Sequence, residues 1–467
     1  MAPVIEDSVV SRVLTAALRT GGDFAELFVE DRRASSARLD DGKVEELTSG
    51  RDRGAGIRVV RGETTGFAHT SDLTDAGLNA AAEAAAAAAR GGGEGVREVA
   101  LTSRRPERPS RAEVLPEDIP KSVKVELLKR AEDAARSEDG HIRQVAVTYG
   151  DGRRRFLVAN SDGLVASEDQ VRTRTSVSVV ARNSDGVMQT GYETAGGTVG
   201  FEIYDKVQIE DVARMAARRA ADLLKARPAP SGQVPVVLKR GGGGILFHEA
   251  CGHGLESDLV GRDASVFKDK VGSQVASPLV TLVDDGSYVD EWGSYGIDDE
   301  GHAAQRNTLI EGGELTDYMW DFLRARKEGR ESSGNGRRQS YQHLPMVRMT
   351  NTYVLAGDDD PEEIIRQTPY GIYCVQLGGG QVNTATGDFV FGMTEAYLIE
   401  DGVVTAPLRA ANLIGNGPEV LRSIDAMGND FETWAGTCGK DGQGVPVSSG
   451  QPTLRVASMT VGGTGVA

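Results

Sequence analysis

The chain has 467 residues, 39% of them hydrophobic, and 52 Lys and Arg against 69 Asp and Glu give it a formal net charge of −17. That length allows two or more domains with their own cores, the acidic balance disfavours a nucleic-acid partner, and nowhere do roughly twenty apolar residues run together as a membrane span requires. Three cysteines are too few for a disulfide framework, and the opening Met1-Ala2-Pro3-Val4-Ile5-Glu6-Asp7 has no basic flank or long apolar run, so a soluble, cytoplasmic protein is expected.

Ser8 to Leu18 carries helical periodicity, and Ala25 begins a strand-rich stretch that continues through about Phe67. The alanine run Ala80 to Ala89, broken by Glu83, predicts a helix with a small-residue face. Gly91-Gly92-Gly93 and the proline-dotted stretch Arg104 to Pro120 predict a linker or long loop. Lys121 to Arg136 and Ile209 to Lys225 predict amphipathic helices. Between them, Val145 to Val180 alternates as strands do, with turns such as Asn160-Ser161-Asp162-Gly163. Ala226 to Pro235, rich in Pro, Ala, Ser and Gly, is the best domain boundary. The expected fold class is α+β: an N-terminal mixed α/β domain over residues 1–230, then a C-terminal domain over residues 231–467 dominated by antiparallel sheet and carrying a metal helix.

Gly241-Gly242-Gly243-Gly244 lacks the Gly-Lys-Ser/Thr ending of a phosphate-binding loop, so close backbone approach explains it better. Strand-like runs follow at Leu279 to Val283, Thr352 to Leu355, Ile372 to Leu377, Phe389 to Ile399 and Leu454 to Val456, with hairpin punctuation at Asp284-Asp285-Gly286 and Glu400-Asp401-Gly402. Arg337-Arg338 reads as part of a flexible loop bordering the active site. Asp358 to Glu363 lacks the ligand register of a calcium loop and suits the start of a helix at Pro361.

The chemistry concentrates in Phe247-His248-Glu249-Ala250-Cys251-Gly252-His253-Gly254-Leu255-Glu256. A catalytic zinc takes three protein ligands, often imidazoles, and keeps one open position. Glu249 between two histidines has the residue type to move a proton for an attacking water. His248 and His253 are five residues apart, which on a regular α-helix separates their directions by about 140°. The helix must therefore bend, overwind or loosen into a π-type turn, which Gly252 and Gly254 would ease. Cys251 reads as a small packing residue. For a third ligand, residue chemistry leaves Glu256, Asp258, His302, His343 and Cys438 open.

Four segments together resemble the TldD/PmbA family of metallopeptidases, in its catalytic TldD-like branch. They are His248 to Glu256, Arg348-Met349-Thr350-Asn351-Thr352-Tyr353, Gly378 to Val382 with Phe391 to Glu395, and Cys438 to Gln443 through Gln451-Pro452. The resemblance implies one zinc per chain held by His248, His253 and Cys438, with Glu249 as catalytic acid/base. It also implies small or unfolded polypeptide substrates and a two-subunit assembly, usually with a non-catalytic sister chain and otherwise with a second copy. Gly378-Gly379-Gly380 in a sheet-rich domain suits pairing with an extended peptide. Two further readings stand beside this one: a non-catalytic peptide-binding or assembly subunit with structural zinc, and a zinc amidohydrolase acting on small molecules.

Overall fold

The computed structural model describes residues 5–89, 101–104, 112–409 and 411–463. Helix α1 (Asp7–Leu18) buries Val10, Val13, Leu14 and Ala17, a stripe at helical spacing. It leads into the long strands β1 (Phe24–Asp40), β2 (Lys43–Arg61) and β3 (Thr64–Thr70). Helix α2 (Asp75–Ala88) starts at Thr74, whose hydroxyl accepts the Gly77 N–H at 3.2 Å. The expected glycine linker at Gly91-Gly92-Gly93, and part of the stretch from Arg104 to Pro120, lie outside the described residues. A short β4 (Thr102–Arg104), α3 (Lys121–Glu138), β5 (Ile142–Asn160), β6 (Leu164–Arg182), β7 (Met188–Gly197), α4 (Ile203–Lys206) and α5 (Ile209–Leu223) complete this part.

The strands form one sheet in the order β3-β2-β1-β5-β6-β4, with β7 also on β6. Period-2 alternation divides its faces. Odd-numbered side chains of β1 and β5 face the helices: Leu27, Val29, Leu157 and Ala159 pack with α1 and α2 at one end. Leu39, Val145, Val147 and Tyr149 pack with α3 and α5 at the other. The even-numbered face carries Phe28, Phe156 and Val158, which pack with Ile297 and Tyr341 of the second half. Buried charge joins the same face to that half. Arg58 donates to Glu26 at 2.6 Å and Glu300 at 2.7 Å, Arg154 pairs with Asp299 at 2.7 Å, and Arg338 pairs with Glu26.

Arg337 and Arg338, expected on a flexible loop, are thus buried at 4% and 2% exposure. Their long stems fill space between the halves while their guanidinium groups find carbonyls and carboxylates. The Ala226 to Pro235 stretch also differs from a bare linker: β8 (Arg227–Pro228) pairs with Val403–Arg409, and β9 (Gly232–Leu238) enters a sheet.

In the second half, β9, Tyr370–Val382, Asp388–Glu400, Asn412–Asn416 and Leu454–Gly462 pair in turn and close into a β-barrel. A six-stranded sheet stands beside it, with Gln443–Gln451 between Asn351–Val354 and the edge strand Glu432–Lys440. Most pairings are antiparallel, so the whole is α+β. Asp284-Asp285-Gly286 ends a strand rather than making a hairpin. Asp284 is buried there because Asn335 Nδ2, Thr350 N, Thr350 Oγ1 and Thr352 Oγ1 all donate to it within 2.8 Å. The helix expected to start at Pro361 runs over Pro361–Arg366, and Asp360 caps it. No helix among the described residues is long and apolar enough to cross a membrane.

Candidate metal centre

The two histidines sit on a helical run that changes pitch twice. Ile245–Phe247 is an α turn, His248–Gly252 a π turn and His253–Leu255 a 3-10 turn. The His253 N–H donates to the His248 carbonyl, so the hydrogen bond spans the five-residue interval itself. A turn closed in that way brings both imidazoles to one side. The rings stand 5.1 Å apart and nearly perpendicular, at 85°. Gly252 does not serve an unusual conformation, for its φ of −53° and ψ of −52° are ordinary helical values. A Cβ there would overlap the Met349 sulfur, so close packing is what demands glycine. Cys251 faces away and donates to the Phe247 carbonyl at 3.0 Å, and burial pushes its thiol up to about 12.

Cys438 comes from the edge strand Glu432–Lys440. Its neighbours explain the strand: Asp441 and Gly442, at φ of 48° and 76°, form a tight turn of the kind that joins hairpin strands. Alternation then puts Cys438 and Lys440 on one face. Arg348, fully buried, fixes the hairpin by donating to the Cys438 carbonyl at 2.5 Å and the Gln443 carbonyl at 3.2 Å.

His248, His253 and Cys438 converge, with ligand atoms all within 4.8 Å of one another and all three residues buried. Cys438 Sγ is 3.5 Å from His253 Nε2. Bonds of about 2.3 Å to sulfur and 2.0–2.1 Å to nitrogen at a tetrahedral angle would separate the two donors by about 3.6 Å. His248 Nδ1 is buried without a hydrogen-bond partner. Burial alone would push the Cys438 thiol up, but the adjoining His248 and His253 outweigh it and hold the thiol down at about 4. A buried anionic sulfur with two imidazoles is a donor set suited to zinc.

His253 is oriented from behind. Its Nδ1 lies 2.9 Å from Glu256 Oε2, and Lys440 Nζ donates to Glu256 at 3.0 Å, Asp258 at 2.7 Å and the Val347 carbonyl at 3.0 Å. Burial would raise the Glu256 carboxyl, yet His253 and Lys440 bring it down to about 2. Glu256 and Asp258 are thus engaged by Lys440, and Glu256 by His253 as well. His302 stacks on Phe322, and His343 bonds Ser340, both outside the cluster. Glu249 Oε2 is 3.8 Å from His253 Nε2, and its side chain is 21% exposed. Lys440 was not singled out by its residue type; only its place two residues from Cys438 on a strand carries the signal.

The sequence motifs converge in space. Met349 packs on Gly252, and the Gly243-Gly244 backbone passes so close to Gln451 and Gly450 that side chains there would collide with them. Three family descriptions match in chain order: PmbA/TldA metallopeptidase domain 1 over residues 25–89, the central domain over 115–224 and the C-terminal domain over 231–463. The chain is 40% identical over 460 residues to a metalloprotease TldD homolog of Haemophilus influenzae, covering 95% of this chain and 93% of that one. It is 28% identical over 448 residues to a zinc metalloprotease TldD homolog of Saccharolobus solfataricus, covering 95% and 97%. The crystal structure of TldE from Thermococcus kodakarensis shares the fold at a TM-score of 0.78 and 20% identity, over 97% of this chain and 99% of that one. The chain belongs to the PmbA/TldD metallopeptidase family, in its catalytic TldD-like branch.

Proposed function

We propose that this metallopeptidase is zinc-dependent and cleaves peptide bonds in small or unfolded polypeptides, with residues 231–467 forming the metallopeptidase domain, residues 1–230 a separate N-terminal domain, and the cytoplasm as its place of action. The convergence of His248, His253 and Cys438 with Glu249 beside them carries this reading. One zinc per chain, held by these three donors, would polarise the scissile carbonyl and make a water easier to deprotonate. Glu249, partly exposed at 21%, takes that proton and returns it to the leaving nitrogen. Glu256 and Lys440 hold His253 in place throughout. An extended substrate strand suits the sheet-rich surroundings, through backbone pairing near Gly378 to Gly380.

Digestion of mixed unstructured peptides, set against small amides, tests the substrate class. Selective cleavage of peptides is expected, and a preference for small amides would make the protein an amidohydrolase. The assembly partner we propose is a sister chain of this fold, with a second copy as the other arrangement. Native mass spectrometry of the chain alone and with the sister distinguishes them.

One observation favours a second reading, a peptide-binding subunit with structural zinc. At 3.8 Å from His253 Nε2, the Glu249 carboxylate is near enough to serve as a fourth donor after a small movement, and closed four-donor sites are structural. Under that reading Glu249→Gln would weaken zinc binding, whereas a proton carrier is replaced without loss of metal.

A further inference from the structure

Between the even-numbered face of the N-terminal sheet and the second half lies a cavity of about 420 Å³, within the range of small-molecule and peptide subsites. Three of its arginines spend their hydrogen bonds on neutral acceptors. Arg172 donates to the carbonyls of Trp292 at 2.9 Å and Ser294 at 2.8 Å and to Gln170 Oε1 at 2.8 Å. Arg174 donates to Thr194 Oγ1 and Tyr192 OH, and Arg337 to the carbonyls of Met349 and Pro446.

The acids of the cavity do not balance them. Asp151 is paired with Lys124 at 2.6 Å and Asp299 with Arg154 at 2.7 Å. Asp298 spends its carboxylate oxygens on the backbone N–H groups of Glu300, His302 and Gly336, at 3.0, 2.9 and 2.9 Å, and burial and the Glu300 charge push it up. Arg338 Nη1 and Arg154 Nη2, on lining residues, are buried donors without acceptors. Burial, with Arg337 and Arg154 close by, draws Arg172 down to about 9, the response of a cation among like charges.

We propose that this cavity is an anion subsite that holds a carboxylate of the peptide substrate, with Arg172, Arg174 and Arg337 as its cationic wall. The inference rests on the peptide reading above. A peptide fits better than a bare small anion for two reasons. The volume exceeds what an isolated oxyanion fills, and Val445 and Pro446 line the cavity while pairing with Cys438 and Thr437 across the hairpin. The Val445-Pro446 wall of the subsite and Cys438 therefore lie on neighbouring strands, about 5 Å apart between backbones. A substrate anchored here by its carboxylate would be held in register with the donors.

The test measures binding by titration calorimetry to the full chain in the Glu249→Gln background, where the peptide stays intact. The probes are a short unstructured peptide with a free C-terminal carboxylate and no acidic side chain, the same peptide amidated, and inorganic phosphate. The free acid is expected to bind at least about tenfold tighter than the amide, the size of one charge-assisted hydrogen bond. Arg174→Gln, which loses only side-chain partners, should shrink that ratio towards one, and Arg172→Gln should do so further. Equal binding of acid and amide overturns the subsite and leaves the peptide reading standing. Binding of neither peptide overturns both. Phosphate binding lost in Arg174→Gln, with no preference between the peptides, overturns the substrate role in favour of a small-anion site.

Discussion

Cys438 Sγ and His253 Nε2, 185 residues apart in the chain, stand 3.5 Å from each other. The π turn and the Asp441-Gly442 hairpin exist in the places that make this approach happen. Cys438 is also the one cysteine held down, at about 4, while burial pushes Cys251 up to about 12 and Cys374 higher still. After chelation, a small alkylating reagent should modify Cys438 first, because the thiolate is the nucleophile, and added zinc should protect it. Peptide mapping with timed labelling checks this; early labelling of Cys251 or Cys374 would contradict it.

Glu256→Gln keeps the shape of the side chain but removes the charge that faces His253 Nδ1 and Lys440 Nζ. Zinc affinity should fall by about 10–100-fold, as is typical when the partner of a ligating histidine is lost. A competition titration with a chelator measures it, and unchanged affinity would mean that His253 needs no orienting partner.

Arg58 lies at 1% exposure between Glu26 and Glu300 and ties the N-terminal sheet to the second half. Arg58→Met leaves two buried carboxylates short of their partner and should cost about 3–5 kcal/mol. Urea unfolding followed by tryptophan fluorescence and by circular dichroism reads the loss. A change within experimental error would show that the network relaxes without cost.

Asp321 is pushed up to about 7 by burial and by the Glu300 charge, against which the Arg324 N–H and Arg58 pull down. Its folded value lies above the ordinary value of about 3.9, so the folded state binds the proton more tightly. That contribution to stability is complete below about pH 4 and is lost as pH rises through about 7. Asp321→Asn retains an acceptor for the cap of Phe322–Lys327 and should flatten the fall in stability across this window. Melting temperatures of both proteins from pH 4 to 8 decide the matter; parallel curves would contradict it.

Elements governed by local pattern were legible. The stripe of α1, the turn at Asn160 to Gly163 and the helix start at Pro361 follow from spacing and turn chemistry alone. The five-residue histidine interval likewise required a non-α turn, and a π turn is present. Three features depended on partners far away in the chain. Arg337 and Arg338 look like surface residues until Glu26 and the Met349 and Pro446 carbonyls surround them. Asp284 looks like a turn residue until Thr350, Thr352 and Asn335 donate to it. The resemblance implies Cys438 rather than Glu256 or Asp258 as the third donor, and what residue type does not show is that Lys440 occupies both of those carboxylates.

Zinc content and peptide cleavage, measured together on wild type and Glu249→Gln with the sister subunit supplied, separate a catalytic zinc centre from a structural one. Zinc is expected near one per chain in both proteins, with cleavage lower by about 10²–10⁴-fold in the variant. A Glu249→Gln protein that cleaves as well as wild type, or that loses its zinc, would contradict the catalytic centre.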